Sequence, residues 1–292
     1  MVRLDSFQRD ALTAIYWHRL VNTDQLGRLV GPSMPARTVR DKLLALRRAG
    51  LVDRIVHQRA PRVWHVTEDG AAAVEAAGTV DARPYRLPSM AVADLLHRHA
   101  LDVVETGLAF VETARAHGHD CGPLSWTPEV AHRVRAGSDR RDVVIADAVL
   151  HYVCERDGRR VQRVFFVEVD RATMPVARLA RKLGRYVRYH GYVAKQAADN
   201  RPVWQQRYAR FPRVLVVLSG APEHVLDRRL ADLRAHTQAM TTAALAHDRV
   251  VALATTLERL RCRGPLREIA VPLLGDDTRP VPVVGPPAAR AR

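Results

Sequence analysis

The sequence predicts an α/β protein, α+β overall, in two parts: a small helical N-terminal part and a larger mixed sheet flanked by helices. Three observations predict it. Up to Ala77, apolar residues recur at helical spacing and are interrupted by two short β-branched runs. Between Val143 and Val169, two apolar runs flank the polar segment CERDGRR. Beyond that point strand and helix patterns alternate, as a sheet with helices on its faces requires.

The first helix is the amphipathic run Asp5 to His18. Asn22 or Thr23 caps a short second helix, TDQLGRLV, which ends at Gly31-Pro32. The third runs from Pro35 to Ala49, with Val39, Leu43 and Leu46 as its inner stripe and Gly50 as its stop. Strands Leu51 to His57 and Arg62 to Val66 follow around a QRAP tip, and then a helix from Thr67 to Ala77. Three helices, a hairpin and a helix, over residues 1–78, give the order of a winged helix-turn-helix. In such a domain the third helix, here carrying Arg37, Arg40 and Arg48, enters the major groove. The wing, carrying Arg54, Arg59 and Arg62, reaches the backbone or minor groove. Double-stranded DNA is therefore the expected partner. Winged helices also serve as dimerisation modules, so a homodimer is among the expected assemblies.

The Pro-containing stretch 79–89 reads as a linker, and 90–274 as the second domain. That domain opens with a long helix, Met90 to His117, followed by a strand edge at Trp126 to Glu129. Val143 to Tyr152 and Val161 to Val169 form an antiparallel hairpin with Asp157-Gly158 as its turn. A buried strand, Arg213 to Leu218, a helix, Glu223 to Met240, and a strand, Val250 to Thr255, complete the pattern. The Pro-, Gly- and Arg-rich tail 275–292 is expected to be disordered.

Carboxylates interrupt the apolar hairpin. Asp147 lies in its first strand, and Glu168 and Asp170 stand two apart in the second, on one face. An unpaired buried charge costs several kcal/mol, so such residues are neutralised, paired or bound to metal. Hard oxygen ligands suit Mg2+ or Mn2+. A helix follows, with Thr173 as its cap, Pro175 in its first turn, and Val176, Leu179, Leu183, Tyr186 and His190 on its packing face. Its other arc holds Arg178, Arg181, Lys182, Arg185 and Arg188 with Tyr189 and Tyr192, a set suited to phosphates and to stacking on bases.

Asp147, then Glu168-Val169-Asp170, then a basic helix, resembles the metal-binding core of restriction-endonuclease-like PD-(D/E)xK nucleases. Asp170 stands where that pattern has its final lysine, so cleavage requires a basic residue of the next helix to substitute. Across nearly the whole length, HRHALDV at 97–103, SWTPE at 125–129, ADAVL at 146–150, VEVDRATM at 167–174 and ARKLGRYVRY at 180–189 resemble the actinobacterial replication-relaxation family of plasmid and mobile-element proteins. The resemblance implies a DNA-binding protein of replication or of supercoil relaxation. It carries two readings. In one, Asp147, Glu168 and Asp170 hold Mg2+ or Mn2+ for a DNA endonuclease or nickase, assisted by Lys182 or Arg178. In the other, the protein is a non-catalytic initiator or transcriptional regulator with an inactive nuclease-like domain. In both, Arg181, Arg185 and Arg188 face DNA.

The formal net charge of the 292 residues is +15, which favours a polyanionic partner. Cys121, Cys154 and Cys262 lie far apart without metal-ligand spacing. Together with a start, MVRLDSFQRDAL, unlike a signal peptide, and no apolar run near the roughly 20 residues of a membrane span, they lead us to expect a cytoplasmic protein.

Overall fold

The computed structural model describes residues 3–55, 62–82, 90–137, 139, 142–194, 200–240 and 249–285. The chain forms two compact units: Met1–Val111 with Gly122–Thr127, and Glu112–Cys121 with Pro128–Arg292.

The first unit follows the expected order of elements. Asp5 caps α1 (Ser6–His18) in a capping box with Gln8, and Asn22 caps α2 (Thr23–Val30) in another with Gln25. In α3 (Ala36–Arg48), Val39, Leu43 and Leu46 are the buried stripe that the spacing predicts. Strands β2 (Val52–Ile55) and β3 (Val63–Val66) pair antiparallel, and residues 56–61, with Arg59 and the QRAP tip, lie outside the described residues. A short strand not foreseen, β1 (Val21–Asn22), adds to β3 and gives the order β1-β3-β2. Thr67 caps α4 (Glu68–Ala77), whose Gly70 is required: a Cβ there would lie 1.8 Å from the Leu51 carbonyl oxygen.

The long helix α5 (Met90–His117) has its expected bounds, but the units part within it at Val111 rather than at 79–89, of which 83–89 lie outside the described residues. The reason is local pairing. Gln25 donates to the Leu101 carbonyl at 2.9 Å and to Glu105 at 3.1 Å, and Arg28 pairs with Glu105 at 2.8 Å. Ala100 and Leu101 cover the apolar patch of Leu20, Ile55 and Val63. Trp126 stacks on His18 with ring centres 4.3 Å apart.

The large sheet has the order β10-β9-β8-β7-β6-β5-β4. Its strands are β4 (Trp126–Arg133), β5 (Val143–Arg156), β6 (Arg159–Asp170), β7 (Arg213–Leu218), β8 (Ala252–Thr256), β9 (Glu268–Pro272) and β10 (Val281–Pro282). β5 and β6 form the expected hairpin, turning at Asp157 (φ 51°) and Gly158 (φ 69°). Positive φ at both central residues is the twist-compatible two-residue turn that Asp-Gly favours. β6, β7 and β8 are parallel, linked through α6 (Val176–Gly191) and α7 (Glu223–Gln238). Two crossovers of one hand, stepping the same way across a sheet, put both helices on the same face. There Leu179, Leu183 and Tyr186 of α6 and Leu226, Leu230 and Leu233 of α7 close over Phe166, Val214, Val216 and Ala254.

Three expectations are corrected. Pro175, not Thr173, occupies the N-cap position of α6. Tyr189 is buried among Phe166, Phe211 and His132 instead of sharing the basic arc. Residues 275–285 of the tail are ordered, since β10 pairs with β9 and Val283 and Val284 are buried, apolar Val pairs offsetting the Pro and Gly content; residues 286–292 lie outside the described residues. The helix α8 (Leu257–Arg263) and β9 were also not foreseen.

Candidate active site and arginine faces

In a sheet of parallel strands linked by helices, the crevice beyond the carboxyl ends of the strands is where side chains converge. β6 ends there with Glu168 and Asp170, and α6 returns across it. Lys182 and Tyr186 are four residues apart on α6, hence on one side of the helix. Both reach Glu168: the Lys182 ammonium donates to Oε2 and the Tyr186 hydroxyl to Oε1. Lys182 Nζ also lies 3.5 Å from Oδ1 of Asp147, whose Oδ2 accepts from the Val169 backbone N–H at 2.8 Å. Asp147 and Glu168 are thus held together by one ammonium.

The electrostatics follow from burial. Glu168 is 2% exposed, and that burial, reinforced by the Asp147 charge, pushes its carboxyl well above the usual carboxylate range, with Lys182 and Tyr186 pulling the other way. Burial works against the Lys182 charge, but Glu168 and Asp147 outweigh it and hold the ammonium above the usual lysine range. The two groups titrate as a pair. Burial, then Glu168, raises the Tyr186 hydroxyl, which stays a donor.

Asp170 does not join this cluster. It is buried, and its Oδ2 accepts from Arg229 Nε of α7 at 2.5 Å, while the same guanidinium donates to the Met174 carbonyl. Arg178 lies one turn before Lys182, exposed, and pairs with none of the three carboxylates. Among the described residues no group of three or more His, Cys, Asp or Glu side chains is arranged to hold a metal. Two carboxylates nevertheless fit magnesium or manganese in chemistry, because such ions keep several waters and take one or two protein carboxylates. Asp147 and Glu168 are those two; Asp170 is committed to Arg229.

The arginine sets separate by position. In the first unit Arg37, Arg40 and Arg62 line one groove of about 530 Å³ with Asn22, Thr23 and Asp24. Arg48 lines a different groove of about 340 Å³ with Arg47, Gly50 and Asp53. Arg54 is half-buried on β2. In the second unit Arg181 and Arg188 are exposed on α6 and Arg185 is half-buried. Sequence reasoning missed Tyr186 as a donor and Arg229 as a partner. The four-residue spacing from Lys182 was a signal for the first; nothing local signals the second.

These features define a mixed α/β protein with a buried carboxylate-ammonium cluster at the ends of its parallel strands. The chain belongs to the replication-relaxation family, whose sequence profile matches residues 12–203. A comparison with curated proteins finds no match. Among solved structures, restriction endonuclease FokI is similar at 12% identity and a TM-score of 0.30, covering 88% of this chain and 43% of that one. FokI bound to DNA is similar at 11% identity and a TM-score of 0.30, covering 90% and 46%. The chain thus spans less than half the length of these neighbours, and at that score the likeness does not establish a shared fold. Among the described residues no helix is long and apolar enough to cross a membrane.

Proposed function

We propose that the protein is a metal-dependent DNA endonuclease or nickase whose site is Asp147, Glu168 and Lys182, and that its first unit is a winged helix that reads double-stranded DNA. One observation carries the reading: Lys182, from the helix after the strand, brings its ammonium to Asp147 and Glu168, supplying the cation that residue 170 lacks. Magnesium or manganese bound by the two carboxylates would supply Lewis-acid stabilisation of charge on a phosphodiester. The rest is the work of the chain. Val169 N–H fixes Asp147, and Tyr186 fixes Glu168 through the carboxylate oxygen that Lys182 does not take. Lys182 Nζ keeps its proton and offers a point charge to a phosphate oxygen where developing charge needs it. Partial burial against α6 lowers the local dielectric and strengthens each of these interactions.

Supercoiled plasmid tests this directly. Wild type should convert it to open-circle or linear DNA with magnesium and not with chelator, and Asp147→Ala and Glu168→Ala should leave it supercoiled in both. Wild-type inactivity with both metals overturns the reading.

A second reading has its own support. Lys182 pairs with both Asp147 and Glu168, and Arg229 pairs with Oδ2 of Asp170, whose Oδ1 is buried without a hydrogen-bond partner among the described residues, so the charge of the three carboxylates is largely neutralised without metal. A non-catalytic DNA-binding initiator or regulator would show unchanged melting in magnesium and no plasmid conversion.

A further inference from the structure

The hairpin end of the second unit's sheet carries a different cluster. Arg213 opens β7 only 8% exposed, and its guanidinium has one hydrogen bond among the described residues, to the Val283 carbonyl at 2.8 Å. Register places Phe165 beside Arg213, and Arg163, two residues before Phe165, on the same face. Nε of Arg163 is buried with no hydrogen-bond partner among the described residues. Arg156 and Arg210 are exposed nearby; Arg156 lies 3.6 Å from the exposed Asp157. Among the described residues no carboxylate pairs with Arg163, Arg210 or Arg213.

A buried guanidinium close to a half-buried one, with no carboxylate between them, is costly. Burial lowers Arg213 to about 10, with Arg163 and Arg156 adding to the fall, and burial likewise lowers Arg163, with Arg210 and Arg156 pushing the same way. Long arginine stems that keep their heads in water explain Arg156 and Arg210, but not Arg213. What the arrangement lacks is an anion with several acceptor oxygens, the shape that guanidinium forks match in pairs.

We propose that Arg163 and Arg213, with Arg156 and Arg210 at the rim, bind a phosphate-type oxyanion. The site is separate from the carboxylate cluster: Arg163 and Glu168 are five residues apart on β6, hence on opposite faces and about 17 Å apart along the strand at ~3.3 Å per residue. The oxyanion is a phosphodiester of nucleic acid or a free phosphate or nucleotide.

Two titrations of the full chain distinguish these, in wild type and Arg163→Met, with Arg210→Met as an exposed variant that keeps the test if Arg163→Met fails to fold. Inorganic phosphate is compared with chloride at equal ionic strength by thermal melting, and a short DNA duplex is titrated across a salt series. Phosphate stabilisation of wild type, lost in the variants while duplex affinity holds, assigns a free phosphate or nucleotide. Duplex binding weakened in the variants by about 3- to 10-fold, with a salt slope smaller by about 1, assigns a phosphodiester. No difference between wild type and variants in either titration overturns the proposal.

Discussion

At the scale of single residues, burial decides which groups titrate and in which direction. His132 is 1% exposed, its Nε2 lies 2.8 Å from the Tyr208 hydroxyl, and burial takes it down to about 4. A base held neutral in this way stabilises the fold above its unfolded value of about 6.5, and that stability is lost as pH falls toward about 4. The loss should be roughly 3 kcal/mol, from about 1.4 kcal/mol per pH unit over the shifted window. Urea unfolding at pH 7 and pH 4 should show it, and His132→Gln should remove that part of the pH dependence. An equal loss in the variant would place the acid sensitivity in other groups. No spacing in the sequence marks His132: it is one polar residue in a strand, and its burial comes from Phe166, Tyr189 and Tyr208 arriving from elsewhere.

At the scale of elements, what was legible was what short-range chemistry sets. Of the two caps read for α2, Asn22 is the one that caps it; the inner stripe of α3 was read position by position, and Asp157-Gly158 marked the turn of the β5-β6 hairpin. Pairings made across many residues were not legible. Asp170 and Arg229 are 59 positions apart, and β10 is held by a strand the pattern did not reveal. The carboxylates stood out because charge in an apolar run is visible locally; whether each would be shared or separately paired depended on where α6 and α7 docked. The same limit explains α5, whose face toward α2 depends on Gln25 and Arg28. A fragment of residues 1–78 would uncover Leu20, Ile55 and Val63 and leave Gln25 without Leu101 and Glu105. We expect it to melt well below a fragment of residues 1–127, as circular dichroism would show. Equal melting temperatures would mean that the N-terminal elements need nothing from α5.

At the scale of the whole molecule, a net charge of +15 makes attraction to phosphates the main source of affinity in any binding to DNA. Affinity for duplex should fall steeply with salt. Arg37→Ala with Arg40→Ala, which strips one side of the Arg62 groove, should weaken binding and reduce the salt slope by about 2, roughly one for each phosphate no longer neutralised. An unchanged slope would move recognition away from α3. The central claim concerns Lys182, the ammonium we propose to stand in for the lysine missing at residue 170. Its most direct measurement is the initial rate of magnesium-dependent plasmid nicking by wild type and Lys182→Ala, read beside the magnesium-induced rise in melting temperature of each. The account predicts a rate lower by about 100-fold or more with the metal-induced stabilisation retained. A Lys182→Ala protein that nicks at the wild-type rate would contradict it.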